Sequence, residues 1–346
     1  MKKRILAMLM ASAMVVSLAA CGGSSDAASS SAGSEAASSA ASSAAASAAG
    51  DEAYNISVIL KTTSAEYWQY VVAGCEAYAE EHGVQVEVKG PPSETSYDEQ
   101  MNMIETDLEN PEYDALVIAP LQGETVANLI EDATIPVLAV DTDIDSSIIK
   151  TFVGTGNEAA AKLGGVAAVE AAKAAGWEEI KCIEIAGVQG DATNTARMNG
   201  YMAGVEEAGG DFLEDEVQYA NAVADQAVTC MEAIMQTHPE GVAIICANND
   251  DMAMAAARAA EGNAAYENTI FMGFNGDRTA CEAILAGDLT LSVAQDAYGM
   301  GYKAVEAACQ ILDGETLDRF VDSGAEIVST ENAQSRLDDL LSYLGK

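Results

Sequence analysis

Short apolar runs rich in β-branched residues alternate along the chain with longer stretches of helical apolar spacing. The first run covers 56–60 and is followed by helical spacing over 66–82, where Gly83 is a stop signal. Further strands are expected at 84–88, 115–119, 136–141 and 149–153, with helices at 97–109 and 123–132. The alternation then restarts. Helices are expected at 157–175, 193–208, 225–237, 251–261, 278–286, 299–313 and 331–344, and strands at 180–185, 217–220, 242–247, 270–274, 289–294 and 320–328. Strand–helix alternation implies parallel sheets with helices on both faces. The restart favours an α/β fold of two doubly wound lobes, each with about five strands, over one large sheet. Ligands of such sheets bind beyond the carboxyl ends of the strands, so two lobes facing each other would form a cleft.

The first fifty residues follow a different pattern. Lys2, Lys3 and Arg4 precede an apolar run over 5–20, and Leu18-Ala19-Ala20-Cys21 closes it. That order of basic, apolar and small residues is expected of a secretory signal over 1–20. The closing tetrapeptide resembles the bacterial lipoprotein box, which implies a lipid anchor on Cys21 after cleavage before it. Residues 24–50 are almost entirely alanine and serine. They offer no bulky side chain for a core, so 21–50 is expected to be a tether.

Composition narrows the function. The chain has 346 residues, with 55 acidic and 16 basic side chains and a formal charge of −39. So few cations cannot supply the basic footprint that nucleic acid requires. A hydrophobic share of 49% argues against a disordered acidic protein. Six cysteines follow Cys21, namely Cys75, Cys182, Cys230, Cys246, Cys281 and Cys309. They lie singly in apolar stretches without a CxxC pair, so buried free thiols are expected and zinc is not. The only histidines are His82 and His238. There is no nucleophile elbow, Walker loop or metal-ligand cluster, and Gly154-x-Gly156 lacks the third glycine of a dinucleotide fingerprint. Neither an enzyme nor a cofactor is expected.

The strand ends hold the candidate chemistry. Lys61 ends the first strand, and Tyr67-Trp68 opens the helix after it. Asp141 and Asp143 follow the fourth strand. In the second half, Arg197 lies on a helix, Asn249 follows strand 242–247, Asn275 follows strand 270–274, and Gln295 follows strand 289–294. Carboxylates, amides and a guanidinium suit vicinal hydroxyls, and aromatic rings suit the C–H faces of a sugar. Simpler roles exist for several of these residues. Lys61 could pair with Asp141 or Asp143, Tyr67 and Trp68 could be core, Arg197 a surface ion pair, and Asp141 or Asn249 a cap.

With these residues in place, the sequence resembles the type I solute-binding proteins of ABC importers for monosaccharides, the ribose- and galactose-binding group. The similarity runs over 56–329. It rests on Tyr67-Trp68, Ile135-Pro136-Val137 with Asp141, Ala196-Arg197 before Gly200-Tyr201, Ala247-Asn248-Asn249-Asp250, Gly273-Phe274-Asn275-Gly276 and Ala294-Gln295. The resemblance implies a type I periplasmic-binding-protein fold with a three-crossing hinge near 154–157, 295–298 and 323–326. One lobe would be 54–156 with 297–324, and the other 157–296 with 325–346. Tyr67 and Trp68 would form an aromatic wall, Asp141 would accept from two ligand hydroxyls, and Arg197 would donate two bonds from the opposite lobe. Asn249, Asn275 and Gln295 would complete a polar ring. Same-fold repressors carry a DNA-binding domain where this chain has the lipobox and tether.

Several positions depart from the group. Lys61 replaces a small polar residue, Ala65 and Ala119 stand where amides often sit, Ala222 replaces a ring, and Asn275 an aspartate. Lys61 with Asp-x-Asp also resembles autoinducer receptors of the same fold. The implied function is an exported, lipid-anchored receptor, expected to be a monomer, that hands a sugar or polyol to an ABC permease. The alternative is a receptor for a sugar or autoinducer-like ligand that signals to a membrane sensor.

Overall fold

The computed structural model describes residues 53–345. The signal expected at 1–20, Cys21 and the 21–50 tether lie outside the described residues.

The first half folds as β1 (Asn55–Ile59), α1 (Glu66–His82), β2 (Gln85–Lys89), α2 (Tyr97–Glu109), β3 (Ala115–Ile118), α3 (Gly123–Leu129), β4 (Val137–Val140) and β5 (Ile149–Gly154). The second half begins with α4 (Asn157–Ala174), β6 (Lys181–Ala186), α5 (Ala192–Glu207), β7 (Asp211–Phe212), β8 (Gln218–Tyr219), α6 (Ala224–Thr237) and β9 (Ile244–Ala247). It continues with α7 (Asp250–Ala260), β10 (Ile270–Asn275), α8 (Arg278–Ala286) and β11 (Leu291–Gln295). The chain closes with α9 (Ala297–Leu312), β12 (Phe320–Asp322), β13 (Ala325–Val328) and α10 (Ala333–Tyr343).

These strands form two sheets, ordered β12-β5-β4-β3-β1-β2 and β13-β11-β10-β9-β6-β7, with β8 also paired to β6. Every pairing is parallel except β11 with β13. Both sheets are doubly wound, as the alternation of strand and helix predicts. The chain passes between them after β5, after β11 and after β12, which makes the three-crossing hinge. The two sheets have six and seven strands, the seventh being the off-path β8, rather than about five.

One expected strand is two. The run 320–328 breaks at Gly324, whose φ of 102° lies in the region that favours glycine. Its first part extends the first sheet beside β5, and its second part joins β11 in the other sheet. The strand expected at 217–220 shrinks to β8. The two-residue β7 is too short for its periodicity to register in sequence.

Local sequence explains how the site residues are placed. Helix α1 ends at Gly83, whose left-handed backbone lets its N–H bond Ala79 at 2.9 Å. The buried Tyr70, Val71, Cys75 and Tyr78 fix the face that α1 turns inward, which sets where Tyr67 and Trp68 point. Helices α4 and α5 approach closely because Gly200 and Gly204 lack side chains. A Cβ at Gly200 would lie 2.2 Å from the Glu158 carbonyl oxygen. That approach brings Arg197, one turn earlier on α5, against Asn157 at the start of α4. The six cysteines after residue 53 are free, five buried and Cys230 half-buried. Among the described residues no helix is long and apolar enough to cross a membrane.

Candidate functional site

The carboxyl ends of the two sheets face a common cavity of about 630 Å³. Lys61, Tyr67, Trp68, Asp141, Arg197, Asn249, Asn275 and Gln295 all line it. Lys61, Tyr67, Trp68 and Asp141 come from the first-sheet side, and the other four from the second. Glu66 on α1 meets Arg278 on α8 at 2.8 Å, so an ion pair spans the two sides. Both partners are about one-third exposed, and such a pair contributes about 1 kcal/mol or less.

Asp141 organises the first wall. Its φ of 62° is left-handed, a conformation that aspartate tolerates better than most residues. Oδ1 accepts the Tyr67 hydroxyl at 2.8 Å, and Oδ2 accepts Thr142 Oγ1 at 2.7 Å. Lys61 Nζ lies 3.7 Å from Oδ2, while Asp143 pairs with Arg319 at 2.8 Å. Lys61 therefore has a carboxylate partner and still faces the cavity. Burial, together with the Asp141 charge, pushes the Tyr67 hydroxyl well above its ordinary pKa, so it stays a donor. Trp68 is 3% exposed, packs edge-on to Tyr67 at 5.1 Å and donates Nε1 to Glu94 at 2.8 Å. It is at once a core residue and part of the wall.

Arg197 organises the second wall and is not a surface ion pair. It is 8% exposed, and its guanidinium lies 3.8 Å over the Phe274 ring. Nε donates to Asn157 Oδ1 at 2.8 Å and Nη1 to the Asn248 carbonyl at 2.7 Å. Burial lowers its pKa from the ordinary guanidinium value. Asn249 is a helix cap as well as a lining residue, since Oδ1 accepts the Met252 N–H at 2.9 Å. Gln295 Nε2 donates to Asn275 Oδ1 at 2.9 Å, which joins the two amides.

Backbone strain gathers at the same place. Among the described residues, the non-glycine residues with positive φ are Asp141, Asn221, Ala222 and Asn275. Three line the cavity and Asn221 adjoins one of them. Such conformations persist only where the surroundings hold them, and they cluster at ligand sites.

Some participants lay outside the sequence-based candidates. Asn157 and Asn248 hold Arg197, and both sit in strand-end segments that the motifs already marked. Phe274, in a motif segment at the end of β10, carries the Arg197 guanidinium on its ring. Glu94 follows β2, a strand end that carried no recognisable motif. Asp277 lines the cavity and its backbone N–H donates to buried Asp250 at 3.1 Å. Burial pushes both carboxyls up, Asp277 further through the Asp250 charge.

Glu184 on β6 is fully buried, and neither carboxyl oxygen has a partner among the described residues. Burial pushes its pKa from 4.5 to about 8, against the pull of Arg197. Between those values the unfolded chain releases a proton that the folded chain keeps. Stability therefore falls as pH rises through that window, by about 1.4 kcal/mol per unit. Urea titrations at pH 5, 6.5 and 8 should show a shallower loss in Glu184→Gln than in the parent. Equal slopes would show that Glu184 is already ionised when folded.

Comparison with known proteins fits this geometry. A family described as a periplasmic binding protein domain matches residues 56–316. The D-allose-binding periplasmic protein of Escherichia coli (strain K12) is 30% identical over 259 residues, covering 72% of this chain and 81% of the relative. The ribose import binding protein of Bacillus subtilis (strain 168) is 26% identical over 271 residues, covering 78% and 85%. The crystal structure of a glucose-galactose binding protein from Geobacillus stearothermophilus superposes with a TM-score of 0.70 at 25% identity, covering 81% and 99%.

Proposed function

Because the chain belongs to the periplasmic binding protein domain family, we propose that it captures a monosaccharide or similar polyhydroxylated molecule between its lobes. It then presents that ligand, chemically unchanged, to the permease of an ABC importer outside the cytoplasm. The observation that carries this reading is the convergence of eight polar and aromatic side chains, from both sheets, on one cavity.

Each lining group has a role in this reading. Asp141 accepts from two ligand hydroxyls, with Tyr67, Thr142 and Lys61 holding the carboxylate in place. Arg197 donates from the opposite lobe, and Asn249, Asn275 and Gln295 complete the polar ring. Tyr67 and Trp68 cover an apolar face of the sugar. Each hydroxyl that finds a partner favours binding, and a sugar lacking it leaves a buried group unpaired, which is how such a site discriminates. The relatives are named for allose and ribose. The reading includes a lipid on Cys21 and action as a monomer held to the membrane by the 21–50 tether.

A thermal-shift screen of monosaccharides, polyols, sugar acids and nucleosides tests it. At least one monosaccharide or polyol is expected to raise the melting temperature, with stabilisation of about 2.7 kcal/mol at a ligand concentration 100 times Kd. A response confined to nucleosides, or none at all, would overturn the sugar reading.

A further inference from the structure

From the C-terminal helix α10, Arg336, which is 14% exposed, bonds the backbone behind two cavity-lining residues. Its Nε donates to the Gly276 carbonyl at 2.8 Å and its Nη2 to the Gln295 carbonyl at 2.7 Å. Nη1 meets Glu326 at 3.1 Å. The two carbonyls belong to the residue after Asn275 and to Gln295 itself, the two lining residues whose amides are joined.

The backbone there needs support. Asn275 has a φ of 129° and Gly276 one of 67°. A Cβ at Gly276 would lie 2.9 Å from Arg336 Nε and 2.2 Å from the Ala294 Cβ, so the guanidinium reaches the carbonyl only over a glycine. Ser292 Oγ accepts the Gly276 N–H at 3.0 Å and donates to Asp250 at 2.6 Å, anchoring the same turn from below. These bonds fix the turn from β11 and α7. Arg336 alone ties it to the end of β11 from α10, with one planar fork spanning two carbonyls.

We propose that Arg336 is a positioning residue for the cavity: by clamping the Gly276 and Gln295 carbonyls it fixes the orientation of the Asn275–Gln295 amide pair. This rests on the reading of the cavity as a ligand site only for its consequence in binding. The clamp itself is set by the chain's own contacts. A lysine supplies the charge but not the two-pronged geometry, so Arg336→Lys is a partial substitute. Half-exposed Glu326 contributes little to the clamp.

Side-chain amide NMR on ligand-free protein tests the clamp directly. In Arg336→Met the Asn275 and Gln295 amide resonances should shift and broaden, in Arg336→Lys they should change less, and in Glu326→Gln they should match the parent. Unchanged resonances in Arg336→Met would overturn the proposal, and if that variant does not fold, unchanged resonances in Arg336→Lys would do so. Affinity for the sugar found by screening should fall about tenfold in Arg336→Met, and much less when Gln295→Ala is already present, because coupled residues are non-additive. Fully additive losses would contradict positioning. A parent chain that binds no sugar would overturn the reading of the cavity while leaving the amide measurement decisive for the clamp.

Discussion

Asp141→Asn is expected to weaken sugar binding by roughly 100-fold while the chain stays folded. The magnitude follows from the chemistry: hydrogen bonds to a charged group contribute about 1.5–3 kcal/mol each, and this carboxylate is positioned to accept more than one from the ligand. Asparagine tolerates the left-handed backbone at this position, where φ is 62°, so the substitution removes charge without adding strain. Alanine would do both at once and is the less informative variant. The amide also disturbs its neighbours. One of its two heads is a donor, so it cannot satisfy both Tyr67 and Thr142 as the carboxylate does, and Lys61 loses its partner. Calorimetric titration of the two proteins checks this. Affinity within threefold of the parent would remove Asp141 from the site.

Replacing Arg197 should have an effect at least as large, through two routes. Arg197→Ala removes the ligand's donor on the second wall. It also strands Asn157 Oδ1 and the Asn248 carbonyl, and uncovers the Phe274 ring. A buried acceptor left without a donor costs about 1–3 kcal/mol. The melting temperature should therefore drop as binding is lost. Arg197→Lys separates charge from shape. An ammonium cannot bond two acceptors in a plane and stack on a ring at once, so lysine should still lose about 30-fold or more in affinity. Full rescue by lysine would mean that charge alone matters there and would contradict the proposed geometry.

Much of this arrangement is legible in the chain because α/β topology converts sequence order into position. Once strands and helices alternate, the residues just after each strand, and the helix starts that follow, must face the ligand side, and the eight candidates drawn from those segments are all among the residues that line the cavity. The bounds of α1, α2 and α8 also follow directly from apolar spacing, a stop glycine or a turn. What escaped did so for physical reasons. Gly324 divides an apparently continuous strand between two sheets, and apolar spacing does not register a change of sheet. Phe274 reads as core because it is core, and only the fold reveals that a guanidinium rests on it. Arg336 sits 41 residues beyond Gln295, on a helix with no motif, so its hold on the Gln295 carbonyl is purely tertiary. Lys61 and Asn249 each combine two roles that sequence reasoning could only set side by side.

A monosaccharide is expected to sit against the Tyr67–Trp68 wall between closed lobes. Only two tryptophans occur in the chain, and Trp177 is not among the cavity-lining residues, with its indole N–H bonded to the Asn268 carbonyl at 2.7 Å. In a Trp177→Phe background, fluorescence excited selectively at tryptophan, away from tyrosine absorption, therefore reports Trp68 alone. Titrating the best monosaccharide from the thermal screen should change that signal saturably at one ligand per chain, and the change should disappear in Asp141→Asn at the same concentrations. Saturable binding by calorimetry with no change at Trp68, or an unaltered response in Asp141→Asn, would contradict the account.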